Sequence, residues 1–190
     1  MSAHPLPGPG TPLALAVAPA PGRGALIASP DDPALIAGVE IVAALLWPDD
    51  RGRFTELFRF DRAEAAGWAR GFHPRAQISA SFSYPGVIKA VHYHRRQTDL
   101  WAPLRGELQI ALFDLRLQSP TFGALNTVFA GESRPWRLRI PPGVGHGYKV
   151  LGAEPGLIIY AADGFYDPAD QGRIAHDDAA LNYDWQLRHG

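Results

Sequence analysis

The feature that most constrains the fold is a series of short apolar or alternating runs, separated by turn signals, from Val39 onward. Alternation over a few positions is typical of strands with one buried face, and Pro-, Gly- and Asp-containing clusters break the chain between such strands. The predicted strands are Val39–Leu46, Phe54–Phe58, Gln77–Ser83, Val87–His94, Glu107–Phe113, Asn126–Phe129, Trp136–Ile140, His146–Val150 and Leu157–Ala161. Many short strands with regular turns predict an all-β sandwich or jelly-roll barrel.

The chain outside these runs is of two kinds. Residues 1–35 are rich in Pro, Gly and Ala, a composition that buries little surface and orders poorly unless it docks on something. We interpret them as an N-terminal extension, an arm that a partner subunit could cover, and residues 36–190 as a single domain. One helix is predicted from Asp61, as N-cap, through an Ala-rich body to Arg70.

Composition excludes several functional classes. The formal net charge is -1, so no basic surface favours nucleic acid, and no apolar run approaches the roughly 20 residues of a membrane-spanning helix. The absence of cysteine excludes disulfides, thiolate nucleophiles and sulfur-ligated zinc. No glycine loop joins a strand to a helix, so no P-loop or Rossmann nucleotide site is predicted. We expect a cytoplasmic protein with no organic cofactor and no nucleic-acid or membrane partner.

Four side chains have the spacing of a metal site. His92 and His94 are two residues apart in a predicted strand, so both imidazoles leave it on the same face. Asp99 follows as the chain turns back, and His146 comes after the Pro-Pro-Gly turn at residues 141–143. This spacing resembles the two cupin motifs and predicts one divalent ion, and its imidazole and carboxylate ligands suit Zn, Fe, Ni, Mn or Cu. A hydrogen-bonded His/Asp cluster without an ion is the alternative.

Motifs in a preserved order across residues 36–185 carry a resemblance to a known family. They are D-R-G-x-F-x-E at residues 50–56, Q-x-S-x-S-x-S at 77–83, G-V-I-K-A-V-H-Y at 86–93, S-P-T-F-G at 119–123, I-P-P-G-x-G-H-G at 140–147 and I-A-H-D-D at 174–178. In these motifs the chain resembles the dTDP-4-dehydrorhamnose 3,5-epimerase family of the cupin superfamily. The resemblance implies a jelly-roll cupin barrel, a nucleotide-sugar substrate and a homodimer.

The resemblance also implies roles for individual residues. His92 matches the general base, Asp178 the carboxylate that orients it, and Tyr160 the tyrosine that returns a proton from the other face of the sugar. The residues at substrate-contact positions are Arg51, Glu56, Gln77, Lys89 and Tyr166. The implied reaction removes a proton beside a ketone, which requires a base and a group that stabilises the enolate.

Two departures from the family pattern change this expectation. Asp99 stands where the family has its enolate-stabilising lysine, and His94 stands where it has a glutamine. A carboxylate in that place repels an enolate, since two charges about 4 Å apart interact by about 4 kcal/mol at an effective dielectric of about 20. Lys89 is three residues before His92, so we expect it on the opposite strand face, where it cannot replace the lost ammonium.

A bound ion would restore positive charge, but an ion that uses all four ligands would take the lone pair that His92 needs as a base. The sequence therefore leaves three hypotheses. The first is an epimerase or isomerase acting on a nucleotide-linked 4-keto-6-deoxy sugar. The second is a metal-dependent cupin enzyme of another reaction class, and the third is a sugar-nucleotide binder without catalytic activity.

Overall fold

The computed structural model describes residues 2–18, 20–60 and 76–186. All regular elements in these ranges are β-strands, as predicted, and the helix predicted over residues 61–70 lies outside them. The strands are β1 (Ala3–Pro5), β2 (Ala14–Ala16), β3 (Ala25–Leu26), β4 (Glu40–Ala43), β5 (Trp47–Asp49), β6 (Gly52–Phe54), β7 (Gln77–Ser83), β8 (Ile88–His94), β9 (Asp99–Arg105), β10 (Glu107–Asp114), β11 (Leu125–Gly131), β12 (Trp136–Ile140), β13 (Val144–Leu151), β14 (Gly156–Ala162) and β15 (Gln171–Arg173). Within the same ranges no helix is long and apolar enough to cross a membrane.

Two sheets form the body of the fold. One has six strands in the order β15-β8-β13-β10-β11-β3, and the other has five in the order β4-β12-β9-β14-β7. The neighbours in both sheets pair antiparallel, except that β3 runs parallel to β11. Two small ribbons, β1-β2 and β5-β6, lie beside them. Because neighbours such as β8 and β13 are distant in sequence, the chain crosses repeatedly between the sheets, as jelly-roll folds do.

The first core fills the space between the two sheets. β12 shows how the sequence produces it, because Trp136, Leu138 and Ile140 are buried while the arginines between them are only half-buried. This alternation follows from the two-residue period of a strand. The six-stranded sheet contributes Leu108, Ile110, Leu112, Val128 and Tyr148 to the same cluster.

A second core covers the outer face of the six-stranded sheet. Val91, Tyr93 and Phe113 of that sheet pack there against both ends of the chain. The terminal residues buried in this cluster are Leu13, Leu15, Leu181, Tyr183 and Trp185. The backbone N–H of Ala14 also donates to the carbonyl oxygen of Leu115 at 2.8 Å. The Pro/Gly/Ala-rich segment therefore packs against its own barrel, where the sequence suggested a partner subunit as its cover.

The structure adds one long strand that the sequence pattern did not predict. β9 lies between β12 and β14 in the five-stranded sheet, although it contains Pro103. Proline cannot donate a ladder hydrogen bond and is confined to sheet edges, strand starts or bulges. Here the register between β9 and β14 shifts beside Pro103, at Leu157 and Ile158. This irregularity admits the proline, and the interior position of the strand buries Leu100 and Ala102.

An irregularity in β8 turns a site residue into the barrel. His92 is paired with His146 of β13, and Lys89 is paired with Tyr148. Three residue steps along β8 thus match two along β13, so β8 contains one extra residue, as in a β-bulge. The extra residue reverses the alternation, and Lys89 lies on the same side of the strand as His92. The expectation that Lys89 points to the opposite face is wrong for this reason.

Gly147 provides the room for this irregularity. A Cβ added to Gly147 would lie 2.7 Å from the Cα of Ala90 and 2.8 Å from the carbonyl oxygen of Lys89. Both are backbone atoms, so no change of rotamer can relieve the contact. β8 approaches β13 this closely because residue 147 has no side chain.

We expect Gly147→Ala to destabilise the fold by about 1–3 kcal/mol, because the added methyl group overpacks a backbone contact. The matched control is Gly164→Ala, since a Cβ at Gly164 meets no atom within 4 Å. Denaturant unfolding of both variants measures the difference. Equal stability of the two variants would show that β8 does not need a glycine opposite its extra residue.

Candidate active site

A cavity of ≈ 270 Å³ between the two sheets collects most of the predicted site residues. The predicted residues in its walls are His92, His94, Asp99, His146, Gln77, Lys89, Tyr160 and Tyr166. The walls also include Gln97, Trp101, Tyr148, Gln171 and Arg173, which the sequence did not assign to the site. Arg51, Glu56 and Asp178 are not among the described residues that line this cavity.

Asp99 is a carboxylate buried between the two sheets. It begins β9 of the five-stranded sheet, is 4% exposed, and faces His94 and His146 of the six-stranded sheet. Its Oδ1 accepts a hydrogen bond from Nε2 of Gln97 at 2.7 Å. Its Oδ2 lies 3.4 Å from Nε2 of His146 and 3.7 Å from Nε2 of His94. The carboxylate therefore joins the two sheets at the site.

The neighbours of Asp99 stabilise its charge. Burial by itself raises the pKa of Asp99, but its contacts with His146, His94 and Gln97 outweigh burial and hold the pKa below the usual value. Burial prevails at His94 and lowers the pKa of that ring, against the opposing effect of Asp99. Asp99 is thus ionised at neutral pH in a nearly dry position, which is costly unless donors or cations pair with it.

The tautomer of His146 determines what its Nε2 presents to this carboxylate. Nδ1 of His146 lies 3.0 Å from the carbonyl oxygen of Val144, so Nδ1 carries a hydrogen and donates it. In a neutral ring, Nε2 then presents a lone pair to Oδ2 of Asp99, and the two repel. A cation between them, either a proton or a metal ion, removes the repulsion. A carbonyl that holds the other ring nitrogen is also the usual support of a histidine metal ligand.

The distances in this cluster fit a metal ion. His94, Asp99 and His146 each offer a ligand atom, and these atoms all lie within 4.8 Å of one another. Donors held tetrahedrally about 2.1 Å from an ion are about 3.4 Å apart, close to the 3.4 and 3.7 Å separations from Oδ2 of Asp99. His92, the fourth predicted ligand, is not a member of this group among the described residues. An ion held by the other three leaves the His92 ring free.

His92 is a neutral imidazole. Burial, and then the electrostatic effects of His146, Arg173 and His94, lower its pKa to about 4. Its Nδ1 lies 2.9 Å from the side-chain amide nitrogen, Nε2, of Gln171. An amide can turn either its nitrogen or its oxygen to this position, and the oxygen accepts a hydrogen from Nδ1. In that arrangement Nε2 keeps a lone pair, as a general base requires.

The structure brings Gln171, and not Asp178, to His92. Gln171 belongs to β15, the edge strand that pairs with β8. The Asp178 carboxylate instead accepts a hydrogen bond from the backbone N–H of Ala180 at 2.8 Å. The orienting role of Asp178 that the resemblance implied stays a prediction. The sequence pattern does not indicate Gln171, because β15 has only three residues, too few for any periodicity.

Lys89 is held at the junction of the two sheets. Its Nζ donates to Oγ of Ser81 at 2.9 Å and to the carbonyl oxygen of Phe82 at 3.0 Å. Ser81 Oγ in turn is 2.8 Å from the hydroxyl of Tyr148, which extends from β13. These bonds fix the ammonium on the cavity wall, on the same side as His92.

The other wall of the cavity comes from the five-stranded sheet. Tyr160 of β14 is half-buried, and Gln77 of β7 accepts a hydrogen bond at Oε1 from the backbone N–H of Tyr166 at 3.1 Å. Trp101 of β9 is 8% exposed and sets its ring edge-on to His146, with centroids 5.2 Å apart. An aromatic and imidazole wall of this kind encloses a small ring-shaped ligand, and the polar side chains of the cavity orient it.

Two residues predicted to contact the substrate lie at the exposed β5-β6 ribbon and just after it. The side chain of Arg51 is 84% exposed and pairs with Asp49 in the same ribbon. Glu56 pairs with Arg59, three residues further along. Within one chain these pairs do not reach the cavity that His92 lines, so their roles stay predictions.

The chain matches a known family over most of its length. The family model described as dTDP-4-dehydrorhamnose 3,5-epimerase matches residues 33–189. The spore coat polysaccharide biosynthesis protein SpsL of Bacillus subtilis (strain 168) is 42% identical over 153 residues, which cover 80% of this chain and 97% of that protein. The dTDP-4-dehydrorhamnose 3,5-epimerase of Methanothermobacter thermautotrophicus is 31% identical over 153 residues, or 79% of this chain and 80% of that protein.

Solved structures give the same fold. The dTDP sugar isomerase from Desulfovibrio desulfuricans superposes with a TM-score of 0.70 at 26% identity, covering 79% of this chain and 92% of that chain. The dTDP-6-deoxy-D-glucose-3,5-epimerase from Legionella pneumophila, in complex with dTDP-4-keto-L-rhamnose, superposes with a TM-score of 0.67 at 32% identity and covers 79% of each chain. The predicted cupin jelly-roll barrel is thereby confirmed.

Proposed function

Because the chain belongs to the dTDP-4-dehydrorhamnose 3,5-epimerase family, we propose that it epimerises a nucleotide-linked 4-keto-6-deoxy sugar. The observation that carries this proposal is the placement of a neutral, half-buried His92 in a cavity that Tyr160 also lines. A carbonyl group at C4 acidifies the C–H bonds at C3 and C5. Removal of a proton from one face and its replacement from the other inverts the carbon.

The proposed reaction assigns a step to each side chain. His92 takes the proton at Nε2, and the electron pair of the broken C–H bond moves to O4 to give an enolate. Tyr160 donates its phenolic proton to the opposite face of the same carbon, and the ketone re-forms. Exchange with solvent restores both side chains. Gln171 holds the His92 ring through Nδ1, and the fixed ammonium of Lys89 lowers the energy of the anionic intermediate.

A metal ion at His94, Asp99 and His146 is the second part of the proposal. The separations of their ligand atoms, the burial of Asp99 and the tautomer of His146 support it. Imidazole and carboxylate donors suit Zn, Fe, Ni, Mn or Cu, and when bound such an ion would supply a Lewis acid. His92 lies outside this group, so a base at His92 and an ion at the other three residues are compatible. The conflict created by a four-ligand site does not arise.

A homodimer built on β7 is the third part. β7 is one of the two edge strands of the five-stranded sheet, and its outward side chains Ile78 and Phe82 are 57% and 53% exposed. Among residues 2–18, 20–60 and 76–186 no strand pairs with the outer edge of β7. An edge strand with unpaired backbone groups and apolar side chains favours pairing with another strand. A second copy of the same chain offers an identical strand, and a two-fold axis satisfies both edges at once.

We expect deuterium from solvent to enter C3 or C5 of dTDP-4-keto-6-deoxyglucose in the presence of the protein, as followed by mass spectrometry. His92→Asn should slow the exchange by about 10²- to 10⁴-fold, because it removes the base. His176→Asn is the matched control, since His176 is exposed and lies outside the cavity.

The pH profile of the same exchange tests the state of His92. The neutral ring is the active form, so the rate should persist below the ordinary histidine pKa and fall only as pH decreases toward about 4. A rate that already falls near pH 6.5 would contradict the lowered pKa of the base. Binding of 4-keto sugars without any exchange would contradict the epimerase proposal and favour a non-catalytic binder.

We expect protein expressed with metals supplied to contain about one equivalent of a divalent ion, as measured by inductively coupled plasma mass spectrometry. Asp99→Asn and His146→Ala should each lose most of this metal, because a site with only three protein ligands binds the ion much more weakly when one ligand is removed. His176→Ala is the control and should keep it. A content in the unaltered protein below about one tenth of an equivalent would reject the metal site.

We expect the protein to sediment as a dimer and Phe82→Glu to convert it to a monomer. The introduced carboxylate would be buried in the dimer interface, and burying an unpaired charge costs free energy. Phe165→Glu is the control, since Phe165 is also exposed but lies outside β7. Analytical ultracentrifugation distinguishes the two states. A monomeric wild-type protein at micromolar concentration would contradict the β7 dimer.

A further inference from the structure

The cavity presents more positive than negative fixed charge to a ligand. Apart from its histidines, the charged side chains in its described walls are Lys89, Arg173 and Asp99. Asp99 is already engaged by Gln97 and by two imidazoles. The charge left for a ligand is therefore positive, and the cavity favours an anionic group.

Arg173 differs from a nearby arginine in having its donors uncommitted. Over residues 2–18, 20–60 and 76–186, its guanidinium makes no hydrogen bond or ion pair. Arg96, by contrast, binds Asp167 at 2.7 Å and Asp170 at 3.1 Å. A guanidinium carries five N–H donors in a planar fork that matches two oxygens of a phosphate. The free fork of Arg173 is thus available for a ligand.

The strand register places Arg173 beside the proposed base. Arg173 on the edge strand β15 is directly opposite His92 on β8. Side chains of directly opposite residues leave a sheet on the same face with Cβ atoms about 4.5–5.5 Å apart. His92 is half-buried, whereas Arg173 is exposed. Arg173 therefore lies at an exposed margin of the cavity, beside the proposed base.

We propose that Arg173 is a positioning residue that binds the diphosphate of the nucleotide sugar. This inference rests on the proposed function, because the diphosphate is the anionic group of that substrate class. A cavity of ≈ 270 Å³ accommodates a sugar ring and leaves the nucleoside outside. The diphosphate joins the two, so it lies at the boundary between buried and exposed side chains. Arg173 occupies that boundary next to His92.

The experiment measures binding of dTDP and of thymidine by isothermal titration calorimetry. Arg173→Met should weaken dTDP binding by about tenfold or more, because a charge-assisted bidentate contact is lost, and it should leave thymidine binding unchanged. Arg173→Lys should recover only part of the dTDP affinity, since an ammonium lacks the fork. Arg105→Met is the matched control, because Arg105 is also exposed but pairs with Glu154 outside the cavity.

The outcomes separate this inference from the proposed activity. Unchanged dTDP affinity in Arg173→Met overturns the role of Arg173, even when the wild-type protein exchanges deuterium. Absence of dTDP binding by the wild-type protein overturns it as well. Loss of dTDP affinity in Arg173→Met supports it even when the wild-type protein shows no exchange, in which case the epimerase proposal alone fails. Arg173 is exposed, so the variants should unfold at the same temperature as the wild type.

Discussion

The burial of one carboxylate organises the site. Asp99 enters the barrel from the five-stranded sheet, and a charge in that position requires compensation that its own sheet does not supply. The compensation comes from His94 and His146 on the opposite sheet and from Gln97 in the preceding turn. Because the buried charge needs these partners, the two imidazoles both face Oδ2 of Asp99. The geometry that could hold an ion is therefore also the geometry that makes the buried charge tolerable.

The same arrangement separates the general base from the metal ligands, two roles that the sequence had both assigned to His92. His92 and His94 leave β8 on one face, but only His94 belongs to the group around Asp99. His92 faces the edge strand β15, where an amide and not a carboxylate meets its Nδ1. A neutral partner does not raise the basicity of the ring as a carboxylate would, while burial and then the electrostatic effects of neighbouring side chains lower its pKa to about 4. The barrel thus keeps the His92 ring neutral beside the group of His94, Asp99 and His146, which surrounds an ionised carboxylate.

Much of the fold could be predicted from local pattern. β7 and β12 were predicted with the bounds that the structure shows, because their alternation reports one buried face. β9 was missed because Pro103 breaks the expected pattern, and only a register shift against β14 admits it. The convergence of His94, Asp99 and His146 followed from their spacing, whereas Gln171 and Arg173 reach the site through the pairing of a short edge strand. Pairing of that kind is a long-range property that no window of sequence contains.

The extra residue in β8 has an evolutionary consequence. Because strand alternation has a period of two, removing one codon between Lys89 and His92 would restore a regular strand and leave both side chains on the same face. A relative without the extra residue could therefore keep the cationic wall with its lysine two residues before the histidine. An alignment of the two chains without a gap would pair Lys89 with a residue that faces the opposite side of the sheet.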